Sequence, residues 1–269
     1  MAQNATNPYD LDHHIAEVYD ITQTETADIA LIRKLISGRG PLQILEPFTG
    51  TGRILIPMAE DGHIVTGIDQ AQAMLERARD KINALPEAVR DRIFLIQCDL
   101  LNDPSDDAWP GGMDLVILGG NCFYELASPK EQEFCVQQAA ASLKPGGYVY
   151  IDNDHMEGDL ALSWQNPAPE QRGIQGMCAD GTFIESWLQT VWFDAPRRLV
   201  QFRRWNKVVY PDGSQMTKEY YQQKHPVSAG EVRGWLEKHG FLIEQEFGDR
   251  EGRPYTAQSP RAIFWARKP

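Results

Sequence analysis

Glu46, Gly50, Gly52 and Arg53 lie close together in "EPFTGTGR", directly after the apolar run "QIL". The two glycines let the backbone turn tightly and bring a ligand against bare main chain. A helix that follows such a turn aims its N-terminal N–H groups at that ligand. A dinucleotide-binding turn adds a third glycine for close packing of helix on strand; here that place is Leu55, which argues against a bound pyrophosphate. A carboxylate at Glu46 is a poor neighbour for phosphates and suits a ligand carrying positive charge. Asp69 in "GIDQAQAML" and Asp99 in "IQCDL" end later strand-like runs, where each is either a ligand to a bound molecule or an ordinary strand-end cap.

Proton transfer has its own candidates in "IDNDHMEGD", where His155 is the natural base and Asp154 the next. The same stretch also reads as an acidic, solvated loop. Arg203, Arg204 and Lys207 form a basic cluster in "FRRWNK" within an acidic chain. Strand alternation puts Arg203 and Arg204 on opposite faces, so at most one of the two points inward, toward a carboxylate or phosphate. The alternative is that both lie on solvated faces or in salt bridges. Tyr220, Tyr221 and His225 in "KEYYQQKHP" are further candidates for lining a pocket, whereas His13 and His14 read as solvated.

The elements that position these residues follow from hydrophobic periodicity. Ile29, Ile32, Leu35 and Ile36 recur at helical spacing, with Thr24 or Thr26 as a cap and Gly38 as a stop. From Leu42, apolar runs ("QILE", "HIVTGI", "RIFLIQ", "DLVILG", "GYVYID") alternate with helical patterns, among them "AQAMLERARDKI" and "KEQEFCVQQAAASL". That alternation marks a parallel sheet covered on both faces, a doubly wound α/β fold. After Ile151 the rhythm changes. "GTFIESWLQTVWF", "RLVQFRRWNKVVY" and "SQMTKEYYQQK" read as three antiparallel strands joined at "DAPRR" and "PDGS". "SAGEVRGWLEKHGF" then restores a helix with Ser228 as N-cap and Gly240 as stop, and "FLIEQEFG" and "PRAIFWARK" supply two last strands. Trp164, Trp187, Trp192 and Trp205 are expected to build the core of the antiparallel insert, with one of them at most in a pocket.

Composition narrows the function classes. The 269 residues are 42% hydrophobic and 24% charged, ordinary for a soluble globular chain. A formal net charge of -12 argues against a protein that lives on nucleic acid, because non-specific affinity for phosphate backbone rests on Lys and Arg. Cys98, Cys122, Cys135 and Cys178 form no C-x-x-C pair, so neither a zinc site nor a redox motif is expected, and no metal is. No apolar run approaches ~18 residues and the polar start lacks a signal-peptide core, so a cytoplasmic location without membrane contact is expected.

The order of these motifs resembles the class I S-adenosylmethionine-dependent methyltransferases. "EPFTGTGR" is similar to their first motif, with Phe48 where a glycine is common. "DLVILGGNCFYEL" resembles the fourth-strand motif and "SLKPGGYVYID" the fifth, so the resemblance spans residues 44 to 152 in register. It implies that Glu46 lies near the methionine ammonium of S-adenosylmethionine, directly or through water. It also implies that Asp69 holds both ribose hydroxyls, and that Asp99 accepts from the adenine amino group beside Leu100. Met74 is then either an apolar contact over the adenine or core. Arg53 either reaches the cofactor carboxylate or is solvated. Gly119, Asn121 and Tyr124 fall on the loop facing the site, Asn121 as ligand or turn residue. "IAEVYD" looks like the arm whose tyrosine closes over the cofactor, here Tyr19.

The implied fold is a mostly parallel, seven-stranded Rossmann-like sheet with an inserted antiparallel β cap. Residues 1–40 are the arm covering the cofactor, 41–154 and 227–269 the methyltransferase domain, and 155–226 the cap that selects the substrate. "GNCFYEL" and the C-terminal stretch from Phe247 are similar to small-molecule methyltransferases with such a cap, a branch that includes amino-sugar and glycine-type N-methyltransferases. The expectation is methyl transfer to a small-molecule acceptor, an amine by preference, by a monomer or homodimer. The alternatives are an O-methyltransferase and a non-catalytic S-adenosylmethionine-binding regulator.

Overall fold

Strand β1 (Gln43–Pro47) is buried on both faces beyond its first residue, and its neighbours explain why. In the computed structural model, which describes residues 9, 12–102, 108–156 and 169–269, β1 pairs in parallel with β2 (Ile64–Asp69) on one side and β4 (Met113–Leu118) on the other. β3 (Ile93–Gln97) extends the parallel array beside β2, and β5 (Leu143–Asp154) extends it beside β4. β11 (Arg261–Arg267) pairs antiparallel with β5 and with β10 (Leu242–Phe247). The order is β10-β11-β5-β4-β1-β2-β3. Residues alternate between the faces: Leu45, Val116 and Ile151 enter one core with Phe123, Val136 and Leu236, while Ile44, Leu115 and Tyr150 enter the other with Ile32, Leu55 and Met58. This is the seven-stranded, mostly parallel sheet expected from the apolar runs.

The helices are α1 (His13–Thr22), α2 (Ala27–Leu35), α3 (Leu55–Glu60), α4 (Gln72–Asn83), α5 (Glu87–Arg90), α6 (Cys122–Glu125), α7 (Pro129–Ser142) and α8 (Ala229–Lys238). The cap on α8 is the expected one: Glu231 N–H donates to Ser228 Oγ at 3.2 Å, and Ser228 N–H donates to the Glu231 carboxylate at 2.9 Å. Such caps contribute typically ~1 kcal/mol. At the start of α2, Thr26 makes no side-chain cap bond; Glu25 accepts the Thr26 and Ala27 N–H groups instead.

A second sheet is antiparallel and runs in chain order: β6 (Gln171–Met177), β7 (Phe183–Asp194), β8 (Leu199–Val209) and β9 (Gln215–Lys224). It has four strands rather than the three expected. β6 reads "QRGIQGM", polar and glycine-rich, and is an edge strand with little burial, so it carries no hydrophobic alternation to betray it. Trp187 and Trp205 stack on one face of this sheet with ring centroids 6.1 Å apart, and each lies under an arginine, Arg172 and Arg203. They are part-exposed rather than the sheet's core; Ile184 and Val208 form that core, together with Val18 of α1 and Cys178. Trp192 is also part-exposed, and Trp164 lies outside the described residues.

Candidate active site

β1 has β2 on one side and β4 on the other, so the carboxyl ends of β1 and β4 form a topological switch point, where open α/β sheets bind ligands. A cavity with about 910 Å³ of space, its open mouth included, lies there. Glu46, Phe48, Thr49, Gly50, Thr51, Arg53, Ile54, Asp69, Gln70, Met74, Gly119 and Gly120 line one part; Tyr9, Tyr19, Cys122, Glu125 and Gln222 complete the wall.

The glycine turn is built as the sequence suggests. Gly50 has φ +56°, a conformation that glycine adopts without strain, and its N–H donates to Asp69 Oδ2 at 2.8 Å. Asp69 Oδ1 accepts the Ala71 N–H at 2.9 Å. The carboxylate is thus fixed by main-chain donors at the end of β2, on the cavity wall. Gly119 allows close packing: a Cβ there would stand 2.9 Å from Ile54 Cδ1. Glu46 is 6% exposed, and Thr49 Oγ1 donates to it at 2.9 Å. Burial pushes its carboxyl up to about 8, against the opposing pull of Thr49 and Arg53. A cation beside this buried carboxyl would favour its charged form.

Arg53 lines the cavity, but its guanidinium is already committed. It donates to both oxygens of the fully buried Asp28, at 2.8 and 2.6 Å, and to the Glu25 carbonyl. Asp28 also faces Arg250 at 3.5 Å; Arg250 pairs with Asp152, Asp152 with Arg261, and Arg261 with Asp154 and Asn121. This alternating chain of charges crosses the carboxyl edge of the sheet and locks the segment between β10 and β11 to α2.

Several expected residues lie elsewhere. Asp154 is held by Arg261 and by Asn121 Nδ2 at 3.0 Å, and Asn121 is a left-handed turn residue braced on Asp154, outside the cavity wall. His155, expected as the base, is not among the described residues that line the cavity. Its Nδ1 meets the Ser259 carbonyl at 2.6 Å and its Nε2 the Tyr255 hydroxyl at 3.2 Å. The reason is topological: β5 continues in register with β11, Asp154 opposite Arg261, and this pairing brings His155 beside Ser259 and Tyr255. Asp99 accepts from Leu101 and Asn102 in its own turn, Leu100 is buried in the core, and Gly52 (φ +78°) turns the chain without lining the cavity. Arg203 and Tyr221 face outward; Arg203 is bound to Glu219 at 2.6 Å and Tyr221 is exposed. His225 is buried between Gln132 and Glu231.

The N-terminal arm reaches the cavity through two tyrosines. Tyr19 lines it, with Tyr9 edge-on at 5.7 Å between ring centroids. Asp20 fastens the arm by accepting from Thr51, Arg77 and Lys81. Burial pushes the Tyr19 hydroxyl up to about 12. His14 is buried rather than solvated, held between Asp12 and Asp180.

At the other end of the cavity stands a group that sequence reading missed. Glu125 Oε1 accepts from Lys224 Nζ at 2.7 Å and Oε2 from Gln222 Nε2 at 2.9 Å. Burial alone would raise its carboxyl, but Lys224, Arg204 and these two hydrogen bonds outweigh that and hold it at about 2. Lys224 Nζ also sits 3.8 Å from the Tyr124 ring centroid, and Arg204 donates to Gln222 Oε1 at 2.9 Å. Tyr220 lies 6.0 Å from Arg204. The signal was there: Tyr220, Gln222 and Lys224 alternate along β9, and Glu125 follows Tyr124 directly.

The family described as "Methyltransferase domain" matches residues 44–147. The glycine N-methyltransferase of Rattus norvegicus is 30% identical over 148 residues, 53% of this chain and 50% of that protein, so the chain spans about half the length of the curated relatives it matches. Among solved structures, the CcbJ methyltransferase from Streptomyces caelestis superposes with TM-score 0.68 at 20% identity, covering 94% of this chain and 96% of that one. The sugar N-methyltransferase KedS8 from Streptoalloteichus gives TM-score 0.70 at 16% identity over 100% of this chain and 98% of its own. At these identities the structural likeness speaks for the fold. Residues 44–147 match a methyltransferase domain, and the fold is the one shared by S-adenosylmethionine-dependent methyltransferases. The chemistry of the lining is compatible with such a cofactor: a buried carboxyl at Glu46, a carboxylate fixed by main-chain donors at Asp69 and an apolar side chain at Met74. Among the described residues, no helix is long and apolar enough to cross a membrane.

Proposed function

We propose that the protein transfers a methyl group from S-adenosylmethionine to a small-molecule amine. In this reading residues 44–152 hold the cofactor, and the segment 155–226 joins α6 in selecting the acceptor. Bound in the cavity, S-adenosylmethionine supplies a methyl group activated by its sulfonium. The chain's own part is to align the acceptor nitrogen, a contribution on the order of 7–11 kcal/mol in favourable cases.

The observation that carries the amine reading is the ionised Glu125 on the cavity wall. As the nitrogen lone pair forms the new bond, the C–S pair returns to sulfur and positive charge passes to nitrogen. A carboxylate fixed on both oxygens by Lys224 and Gln222 stabilises that charge without reorganising. Held at about 2, Glu125 is too weak a base to take a hydroxyl proton. Tyr19, at about 12, is protonated at neutral pH, and Glu46 sits at the cofactor end. An amine attacks as its free base, which forms by loss of a proton to water before transfer; a hydroxyl acceptor must lose its proton in the site, and Glu125, Tyr19 and Glu46 are poorly placed on the pH scale to take it. The named N-methyltransferases among the similar proteins agree with this choice.

The test is formation of S-adenosylhomocysteine with matched amine and alcohol acceptors. Turnover is expected with amines, and Glu125→Gln should lower kcat with cofactor affinity retained. Turnover of alcohols alone would overturn the amine reading, and tight binding of NAD with none of S-adenosylmethionine would overturn the whole.

A further inference from the structure

Arg203 and Arg204 are neighbours in the chain with opposite fates. Arg203 faces outward and is neutralised by Glu219. Arg204 faces the other way, half-buried among Tyr220, Glu125, Tyr9 and Tyr124. A guanidinium offers five donors. Those of Arg204 have a neutral amide oxygen, Gln222 Oε1, at 2.9 Å, and among the described residues no carboxylate lies within ion-pair distance. Glu125, an acid of the cavity wall, already accepts from Lys224 on one oxygen and from Gln222 Nε2 on the other, and keeps a lone pair on each. Arg204 and Lys224 stand directly behind the cavity wall, one bonded to Gln222 and the other to Glu125, and the two cations outweigh the single carboxylate there.

Taking an arginine out of water without an anion is costly, and the cost is recovered when a planar oxyanion docks on the fork. Gln222 sets the scale of the arrangement. Its amide oxygen touches Arg204 and its amide nitrogen touches Glu125, so one primary amide separates the two charges. An acceptor that meets both must carry an amine and an oxyanion only a few atoms apart.

Building on the amine reading above, we infer that the acceptor is a small zwitterion that loses its ammonium proton to water and reacts as the free amine, with that amine at Glu125 and a carboxylate or phosphate at Arg204. Arg204 is then the residue that determines specificity. It acts on binding of the acceptor and takes no part in the transfer itself.

The experiment uses the full chain and three sets of acceptors: amino carboxylates (glycine, β-alanine), amino phosphates (O-phosphoethanolamine, aminomethylphosphonate) and uncharged counterparts (methylamine, ethanolamine). Formation of S-adenosylhomocysteine gives kcat and KM, and calorimetry gives the affinity for S-adenosylmethionine. One of the anionic sets should be favoured over its uncharged counterparts by about tenfold or more in kcat/KM, and the favoured set identifies the oxyanion. Arg204→Gln should raise KM for that set by about tenfold with kcat and cofactor affinity nearly unchanged, and Arg204→Lys should recover part of the loss. A merely structural arginine would lower kcat and cofactor affinity together, and that result overturns the inference. So does equal use of the uncharged amines with no response to Arg204→Gln, although methyl transfer to amines would then stand. Cofactor binding with no turnover of any set overturns the small zwitterion. Failure to bind the cofactor at all would instead overturn the reading beneath it.

Discussion

Lys224 Nζ lies 2.7 Å from Glu125 Oε1, joining the last residue of β9 to the last residue of α6. Lys224 is 1% exposed, so its ammonium depends on this partner. Glu125 itself is part-exposed, so Glu125→Gln should destabilise the protein by about 1–3 kcal/mol, the cost of leaving a buried donor short of its partner. Lys224→Met in the Glu125→Gln background should recover most of it, because the stranded charge is gone. Urea unfolding of the four proteins in this cycle measures the coupling. Additive losses would show that the two side chains are neighbours without being partners.

Glu46 makes cofactor binding depend on pH. Its carboxyl is raised from 4.5 to about 8, so the unliganded protein holds a proton there that the unfolded chain releases near 4.5. The sign follows: Glu46 lowers stability progressively as pH rises from 4.5 to about 8. A ligand ammonium pairs with the ionised form, so binding below pH 8 should expel a proton, and affinity should climb up to about tenfold per pH unit before levelling near 8. Calorimetry in buffers of different ionisation enthalpy counts the proton. Glu46→Gln should weaken binding and abolish the release; a proton count of zero in the wild type would refute the assignment.

The parallel sheet was legible because its strands are apolar on both faces, and the motifs at its carboxyl edge follow from strand and turn order. Glu46, Asp69, Met74 and Tyr19 could be placed at one cavity for that reason. His155 misled because position just after β5 says nothing about direction, and direction is set by the pairing of Asp154 with Arg261 across β11. Glu125, Gln222 and Lys224 were missed because they meet only when β9 packs against α6, some 97 to 99 residues apart in the chain. Neither segment alone distinguishes a buried charge from a solvated one. The chain of ions from Arg53 to Asp154 was invisible for the same reason.

Asp28 should prove more critical than its place on a helix suggests. It is fully buried, binds Arg53 through both oxygens and faces Arg250. Asp28→Asn keeps the shape but leaves two arginines without their shared anion, an expected loss of about 3–5 kcal/mol. Because Arg53 lines the cavity, cofactor affinity should fall in the same variant. Thermal denaturation with and without S-adenosylhomocysteine measures both. An unchanged melting temperature would mean that the network beyond Asp28 holds Arg53 unaided.

His14 fastens the arm to the second sheet, and the fastening should loosen with rising pH. Its Nδ1 lies 2.7 Å from Asp12 and its Nε2 3.0 Å from Asp180 in the β6–β7 turn. The other polar and ionisable groups nearby are His13, Glu17, Cys178, Tyr210 and Lys218. Burial works against charge on the ring, but Asp180 and Asp12 outweigh it and raise its pKa above 6.5. Stability from a raised histidine is fully present below 6.5 and is lost as pH climbs through the higher, folded-state value. α1 also carries Tyr19 to the cavity wall, so the arm should open more often over that pH range. Hydrogen exchange, corrected for the intrinsic rate at each pH, should show protection of α1 falling across that window, while α7, remote from His14, stays constant. In His14→Gln the fall should vanish and protection should be low throughout. A wild-type protection factor for α1 that is flat from pH 6 to 9 would show that the two aspartates hold the arm equally well with a neutral ring.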